Sequence, residues 1–145
     1  MKLIYPELNA QAPIYEIEVK WLTRFREYDW CPNILFTSPC IIVMNNCGER
    51  LTRDNAPANI ENQMLKILDT LRILGCCHND IKPENILIKD SKAVLIDYGW
   101  STPGEAPANY PKILGGEFRG DNGIDDYESL DKVMDWLKKV PTLSE

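Results

Sequence analysis

The segment His78-Asn79-Asp80-Ile81-Lys82-Pro83-Glu84-Asn85 gathers an imidazole, two carboxylates, an ammonium and two amides within eight positions. Pro83 forbids a continuous helix through it. Groups of this kind suit a polyphosphate with its metal ion. Hard cations such as Mg²⁺ take oxygen ligands and commonly rest on one or two protein groups plus phosphates. Asn85 and the later Asp97 fit as metal ligands. Asp80 is then placed to accept a proton from, or to orient, an attacking hydroxyl. Lys82 is placed to put positive charge on a transferred phosphoryl group.

What must position these side chains is a small hairpin. Ile86-Leu87-Ile88 and Ala93-Val94-Leu95-Ile96 read as two short strands joined by a turn at Lys89-Asp90-Ser91-Lys92. Asp80 and Asn85 precede the first strand and Asp97 follows the second. An antiparallel pair returns the chain to its starting edge, so the three oxygen-bearing groups are predicted to converge.

Further elements flank the hairpin. Met1 to Tyr5 reads as a short strand. Residues 13–28 carry Ile14, Ile17, Trp21, Leu22 and Phe25 at helical spacing, with Pro13 suited to the first turn. Asn33 to Met44 reads as two strands broken at Ser38-Pro39, followed by a polar connector from Asn45 to Gly48. The apolar spacing from Ala58 to Leu74 predicts an amphipathic helix closed by Gly75. Residues 101–124, rich in Pro, Gly and Asn, predict a long loop, a feature that is commonly functional when ordered. A last helix is predicted from Asp126 to Val140.

The composition bounds the rest. A chain of 145 residues fits one domain, and its 44% hydrophobic and 26% charged residues are ordinary for a globular protein. The net charge of −6 disfavours a nucleic-acid or anionic-membrane surface, which needs clustered Lys and Arg. No apolar run reaches the roughly 20 residues needed to span a bilayer. The five cysteines, Cys31, Cys40, Cys47, Cys76 and Cys77, form neither an even set nor a CxxC pair. No apolar export signal follows Met1, so a cytoplasmic, reducing location is expected. Adjacent Cys76-Cys77-His78 lacks the usual zinc spacing, and the cysteines read as small buried apolar residues.

Taken in order, His78-Asn79-Asp80, Asn85 and Asp97-Tyr98-Gly99 resemble the catalytic loop and D-F-G segment of eukaryotic-type protein kinases. The Lys82-Pro83-Glu84 interior resembles the serine/threonine branch. The resemblance implies an α+β, protein kinase-like fold: mostly the helical C-lobe, with a remnant N-lobe of short strands and an αC-like helix. It is read as a single truncated domain over 1–145, with the remnant N-lobe in 1–44 and the hinge and C-lobe core in 45–145. By the same resemblance Asp80 is the catalytic base, Lys82 contacts the γ-phosphate, and Asn85 and Asp97 hold Mg²⁺. Met44 falls near the gatekeeper position, with Asn45 to Cys47 along adenine. Glu18, with Glu16 as its rival, resembles the αC glutamate, and Lys2 is the candidate strand lysine. Asp126 resembles the acid that bonds backbone amides of the catalytic loop, while His78 reads as a structural, hydrogen-bonded residue.

The pattern also departs from the family. No G-x-G-x-x-G loop, A-P-E segment or set of later C-lobe helices is present. Asn79 replaces the arginine that commonly pairs with a phosphorylated activation loop. The expectation is a minimal phosphotransferase that moves the γ-phosphate of Mg-ATP to a Ser or Thr hydroxyl of a protein substrate. A catalytically weak or inactive kinase-lobe mimic that binds another kinase or its substrate is the alternative. A small-molecule kinase of the aminoglycoside or choline type is a third reading.

Overall fold

The structure, a computed structural model, describes residues 14–38, 41–107, 110–111 and 113–139, together with the backbone of Lys2–Leu3. The described residues form a mixed α/β fold of three helices and two small antiparallel sheets. The first sheet runs β1 (Lys2–Leu3), β3 (Ile41–Met44), β2 (Ile34–Ser38) in spatial order. The second runs β4 (Glu49–Arg50), β5 (Ile86–Lys89), β6 (Lys92–Leu95). The helices are α1 (Ile14–Arg24), α2 (Ile60–Ile73) and α3 (Asp126–Lys138). None is long and apolar enough to cross a membrane.

Helix α1 buries Ile14, Glu18, Trp21 and Leu22 along one face. Trp21 and Phe25 stack with ring centroids 5.6 Å apart, as residues four apart on one helical face can. The helix stops at Arg24 rather than continuing to Tyr28. Past it, the amides of Tyr28 and Cys31 bond to Phe25 and Tyr28 carbonyls three residues back, which turns the chain and brings Trp30 onto Phe25. No Gly or Pro marks that stop, so tertiary aromatic packing overrides the local periodicity. Pro13, Pro39 and Cys40 lie outside the described residues.

Helix α2 follows its predicted span to within two residues at its start and one at its end. Its C-terminus is a Schellman motif: the Cys76 amide bonds to Leu71 carbonyl at 2.8 Å and the Gly75 amide to Arg72 carbonyl at 3.1 Å. Gly75 carries the φ of +76° that this motif requires. The Arg24 guanidinium also donates to the Leu74 carbonyl, tying α1 to the end of α2.

The β5–β6 hairpin pairs Ile86 with Leu95 and Lys89 with Lys92. Asp90 and Ser91 sit at φ +51° and +65°, the left-handed pair of a two-residue type I′ turn. Strand β4 is an addition to the predicted set, because the connector after Met44 continues into a pairing of Glu49 with Ile88 and Arg50 with Leu87. Two charged residues carry no alternation by which to detect a strand. The visible signal is Gly48 at φ +103°, where an added Cβ would collide with the Ile88 carbonyl.

One hydrophobic cluster spans the described elements, from Trp21, Leu22 and Phe25 of the α1 region through Ile42 of β3 to Met64, Leu68, Leu95 and Val133. Cys31 and Cys76 belong to it, and burial first of all pushes both thiols up to about 12. A thiol whose folded pKa is raised binds its proton more tightly in the native state. Stability is therefore unaffected below the unfolded thiol pKa and falls as pH rises from about 9 toward 12. Urea titrations between pH 7 and pH 11 should show this alkaline loss, and substituting alanine at both cysteines should lessen it, leaving the part due to the buried Tyr98 hydroxyl, whose pKa burial also raises.

Candidate functional site

The site begins with the carboxylate of Asp126 at the start of α3. Its Oδ2 accepts the His78 amide at 2.7 Å and its Oδ1 the Asn79 amide at 2.8 Å. Desolvation pushes the Asp126 pKa up, opposed by the hydrogen bonds from these two amides. Asp125 caps the same helix, accepting the Glu128 amide on its side chain. The irregular loop before Pro83 is thus held by charge-assisted bonds from a neighbouring helix.

His78 is wholly buried and every polar group on it is used. Its Nε2 meets the Ile96 carbonyl at 2.8 Å, and the Asp80 amide donates to Nδ1 at 3.2 Å. Since Nδ1 accepts, the ring is the Nε2–H tautomer. The His78 carbonyl accepts the Ser101 hydroxyl, and the Tyr98 ring meets the imidazole edge-on at 5.1 Å. The imidazole is a spacer between Ile96 and Asp80, which leaves it no proton to pass to a ligand.

That framework fixes Asp80, which is 4% exposed. Asn85, 5% exposed and at the end of the Pro83–Asn85 3₁₀ turn, donates its amide to the Asp80 carbonyl at 2.8 Å and to Asp80 Oδ2 at 3.0 Å. The other carboxylate oxygen, Oδ1, is buried and has no hydrogen-bond donor among the described residues. Lys82 Nζ lies 3.6 Å from it, close enough for an ion pair and too far for a hydrogen bond. The Asn85 side-chain oxygen takes no hydrogen bond among the described residues.

The hairpin returns Asp97 to this place. The Ile96 amide bonds to the Asn85 carbonyl at 2.9 Å, which sets Asp97 beside the end of the 3₁₀ turn. Asp97 and Asn79 both have positive φ, +67° and +75°. Non-glycine residues in that region store strain and persist where surrounding structure fixes them. Gly99 is closely approached: an added Cβ would press into Ile14 and lie 3.7 Å from Asp97 Oδ1 and 3.5 Å from Glu18 Oε2. The Asp97 and Glu18 carboxylates therefore face the same glycine.

The structure brings Asp80, Lys82, Asn85 and Asp97 together. Glu18 is wholly buried and points inward, whereas Glu16 is exposed, which separates the two rivals on α1. The Lys2 backbone pairs with Ile42 in β1, and its side chain lies outside the described residues. Met44, half-buried, ends β3. Asn45 is exposed, and its side-chain oxygen accepts the Asn33 amide at 2.8 Å and the Cys47 thiol at 3.4 Å. Among the described residues no three His, Cys, Asp or Glu side chains group as a metal site. A Mg²⁺ ion here would rest on Asn85, Asp97 and phosphate oxygens, a donor set that suits it.

Two residues matter more than the sequence indicated. Asn79 donates its side-chain amide to the Trp100 carbonyl at 2.8 Å and to Thr102 Oγ1 at 2.9 Å. Thr102 pairs in turn with Cys77 in a β-bridge with N···O distances of 2.8 and 3.0 Å, and its hydroxyl donates to the Gly104 carbonyl. The segment after Asp97 is thereby laced to the loop before Asp80. Only the polarity of Asn79 and Thr102 could have hinted at it.

Comparison with known proteins gives one partial likeness. Over 57 residues, 39% of the chain, it is 40% identical to mitogen-activated protein kinase kinase kinase 8 of Rattus norvegicus. The match covers 12% of that protein's length. No protein-family model matches the chain.

Two substitutions test this framework. Asp126→Ala leaves the His78 and Asn79 amides unpaired and should cost about 3 kcal/mol or more in urea unfolding. Tyr98 is wholly buried, and its hydroxyl has no partner among the described residues. Tyr98→Phe removes that uncompensated group, so it should stabilise by about 1 kcal/mol, seen as a melting temperature a few degrees higher.

Proposed function

We propose that the chain is a minimal protein kinase-like phosphotransferase that moves the γ-phosphate of Mg-ATP to a Ser or Thr hydroxyl of a protein. The observation that carries this reading is the state of the Asp80 carboxylate. One oxygen is anchored by Asn85, while the other is buried, lacks a donor among the described residues and lies 3.6 Å from the Lys82 ammonium. A buried acceptor without a donor is a costly group to retain unless something is bound there to use it.

In this reading Asp80 Oδ1 accepts the hydrogen bond of the attacking hydroxyl, and then its proton, as the phosphoryl group moves. Lys82 meets charge on the transferring oxygens. Asn85 and Asp97 hold Mg²⁺, which neutralises phosphate charge when bound. Adenine lies along Met44 to Cys47 and meets backbone groups there. The Cys47 main-chain amide and carbonyl make no hydrogen bond among the described residues, which leaves a donor and an acceptor for an adenine edge. The partial likeness to a kinase supports the same reading.

One observation favours a second reading, a catalytically weak or inactive mimic that binds another kinase or its substrate. The sequence has no G-x-G-x-x-G loop to cover phosphates. Loss of even one preorganised donor costs about 10²–10³ in rate, so an uncovered site would be slow.

Calorimetric titration of Mg-ATP, followed by phosphate transfer to generic protein acceptors, separates the two. The expected result is magnesium-dependent nucleotide binding that Asp97→Ala abolishes. Asp80→Asn should keep binding while lowering transfer by about 10²–10⁴. No heat at millimolar nucleotide would sink the enzyme and leave the mimic.

A further inference from the structure

Away from Asp80 and Asp97, a cavity of about 440 Å³ opens beside the turn end of the β5–β6 hairpin, within the usual range for a ligand site. It lies between the chain segment after α1, one side of α2 and the start of β6. Its apolar surface comes from Trp30, Ile67 and Tyr28, with the Trp30 and Tyr28 rings stacked at 4.9 Å. The walls are fixed in advance. The Trp30 carbonyl accepts the Leu95 amide at 2.8 Å. Gln63 joins α2 to the hairpin, donating to the Ser91 carbonyl at 2.9 Å and accepting the Ala93 amide at 2.8 Å.

The charges at this cavity run against those of the chain. Its charged lining residues are Lys66, Lys92 and Asp29, a net +1 on a protein of net −6. Neither ammonium has an ion-pair or hydrogen-bond partner among the described residues. The two cations come from different elements, α2 and β6, so positive charge is offered at two places on the rim rather than one. A single carboxylate would meet one of them. A chain segment with acids on both sides of a ring would meet both while the ring covers Trp30 and Ile67.

We propose that this cavity is a docking site for an acidic peptide segment with an aromatic anchor. The ring packs against Trp30, Tyr28 and Ile67. Flanking carboxylates meet Lys66 and Lys92, and Asp29 is left to accept a peptide amide. The site stands roughly 13 Å along the hairpin from the Asn85 end, by strand rise, and does not depend on phosphoryl transfer.

The test is calorimetric titration, at low salt, of the full chain with an acetylated, amidated pentapeptide: phenylalanine with two glutamates on each side. A dissociation constant below about 1 mM is expected. Replacing the glutamates with glutamines should weaken binding at least fivefold. The Lys66→Glu, Lys92→Glu double variant changes only exposed side chains and should weaken it about tenfold or more, since two attractions become repulsions. Tyr28→Ala, also at an exposed position, should weaken it as well. Asp80→Asn should bind the peptide unchanged, which separates this inference from the phosphotransfer reading. No heat at millimolar peptide, equal binding of the glutamine version, undiminished binding by the charge-reversed variant, or loss of binding in Asp80→Asn would each overturn the proposal. Phenylacetate binding as tightly as the peptide would overturn it in favour of a small aromatic acid. Self-association abolished by the charge reversal would do so in favour of a second copy.

Discussion

The arrangement around Asp80 depends on one carboxylate that does no chemistry itself. Asp126 accepts two successive amides, those of His78 and Asn79, and thereby fixes the direction in which the chain leaves α2 and enters the polar loop. Successive amides pointing at one anion constrain the backbone more than either bond would alone. Asn79 is held at positive φ, and the Asp80 amide reaches back to the histidine ring. Without that anchor the His78 and Asn79 amides would be left unpaired, and the orientation of Asp80 would rest on its bonds to Asn85 and to the His78 ring.

From the anchor outward, rigidity passes through groups with no spare valence. Both nitrogens of the His78 ring are engaged, joining the hairpin at Ile96 to the backbone at Asp80. The hairpin adds its own constraint, because the register of Ile86 with Leu95 leaves Asn85 opposite Ile96, with Asp97 the next residue at its open end. Two strained backbone positions flank the carboxylates, and a fully buried Tyr98 ring, packed on Phe25 and His78, keeps them there. Packing energy from the aromatic core of α1 is in this way transmitted to polar groups that could not hold such geometry themselves.

Much of this was legible in the sequence, and for definite reasons. The hairpin could be read because two short continuous apolar runs bounding a polar turn determine where its ends meet, so the convergence of Asp80, Asn85 and Asp97 followed from topology. Helix α2 was legible because its apolar stripe is long and its stop is a glycine. The end of α1 was not, because an aromatic contact between Phe25 and Trp30 ended it with no local signal. Strand β4 was hidden in two charged residues whose pairing exists only because β5 arrives beside them. The Asn79 side chain was legible as a missing charge but not as a clamp, since its partners, Trp100 and Thr102, lie more than twenty residues away. Long-range bonds between small polar groups leave no periodic trace.

The Asn79 clamp has a further consequence. A segment held by an arginine against a phosphate is held by charges, which salt screens and which a single covalent event can add or remove. Here the hold is neutral amide to carbonyl and hydroxyl, enclosed in the protein, and beyond the reach of counterions. The path of the chain from Asp97 to Thr102 is therefore settled when the protein folds, and its hold is as indifferent to ionic strength as the hydrophobic core beneath it.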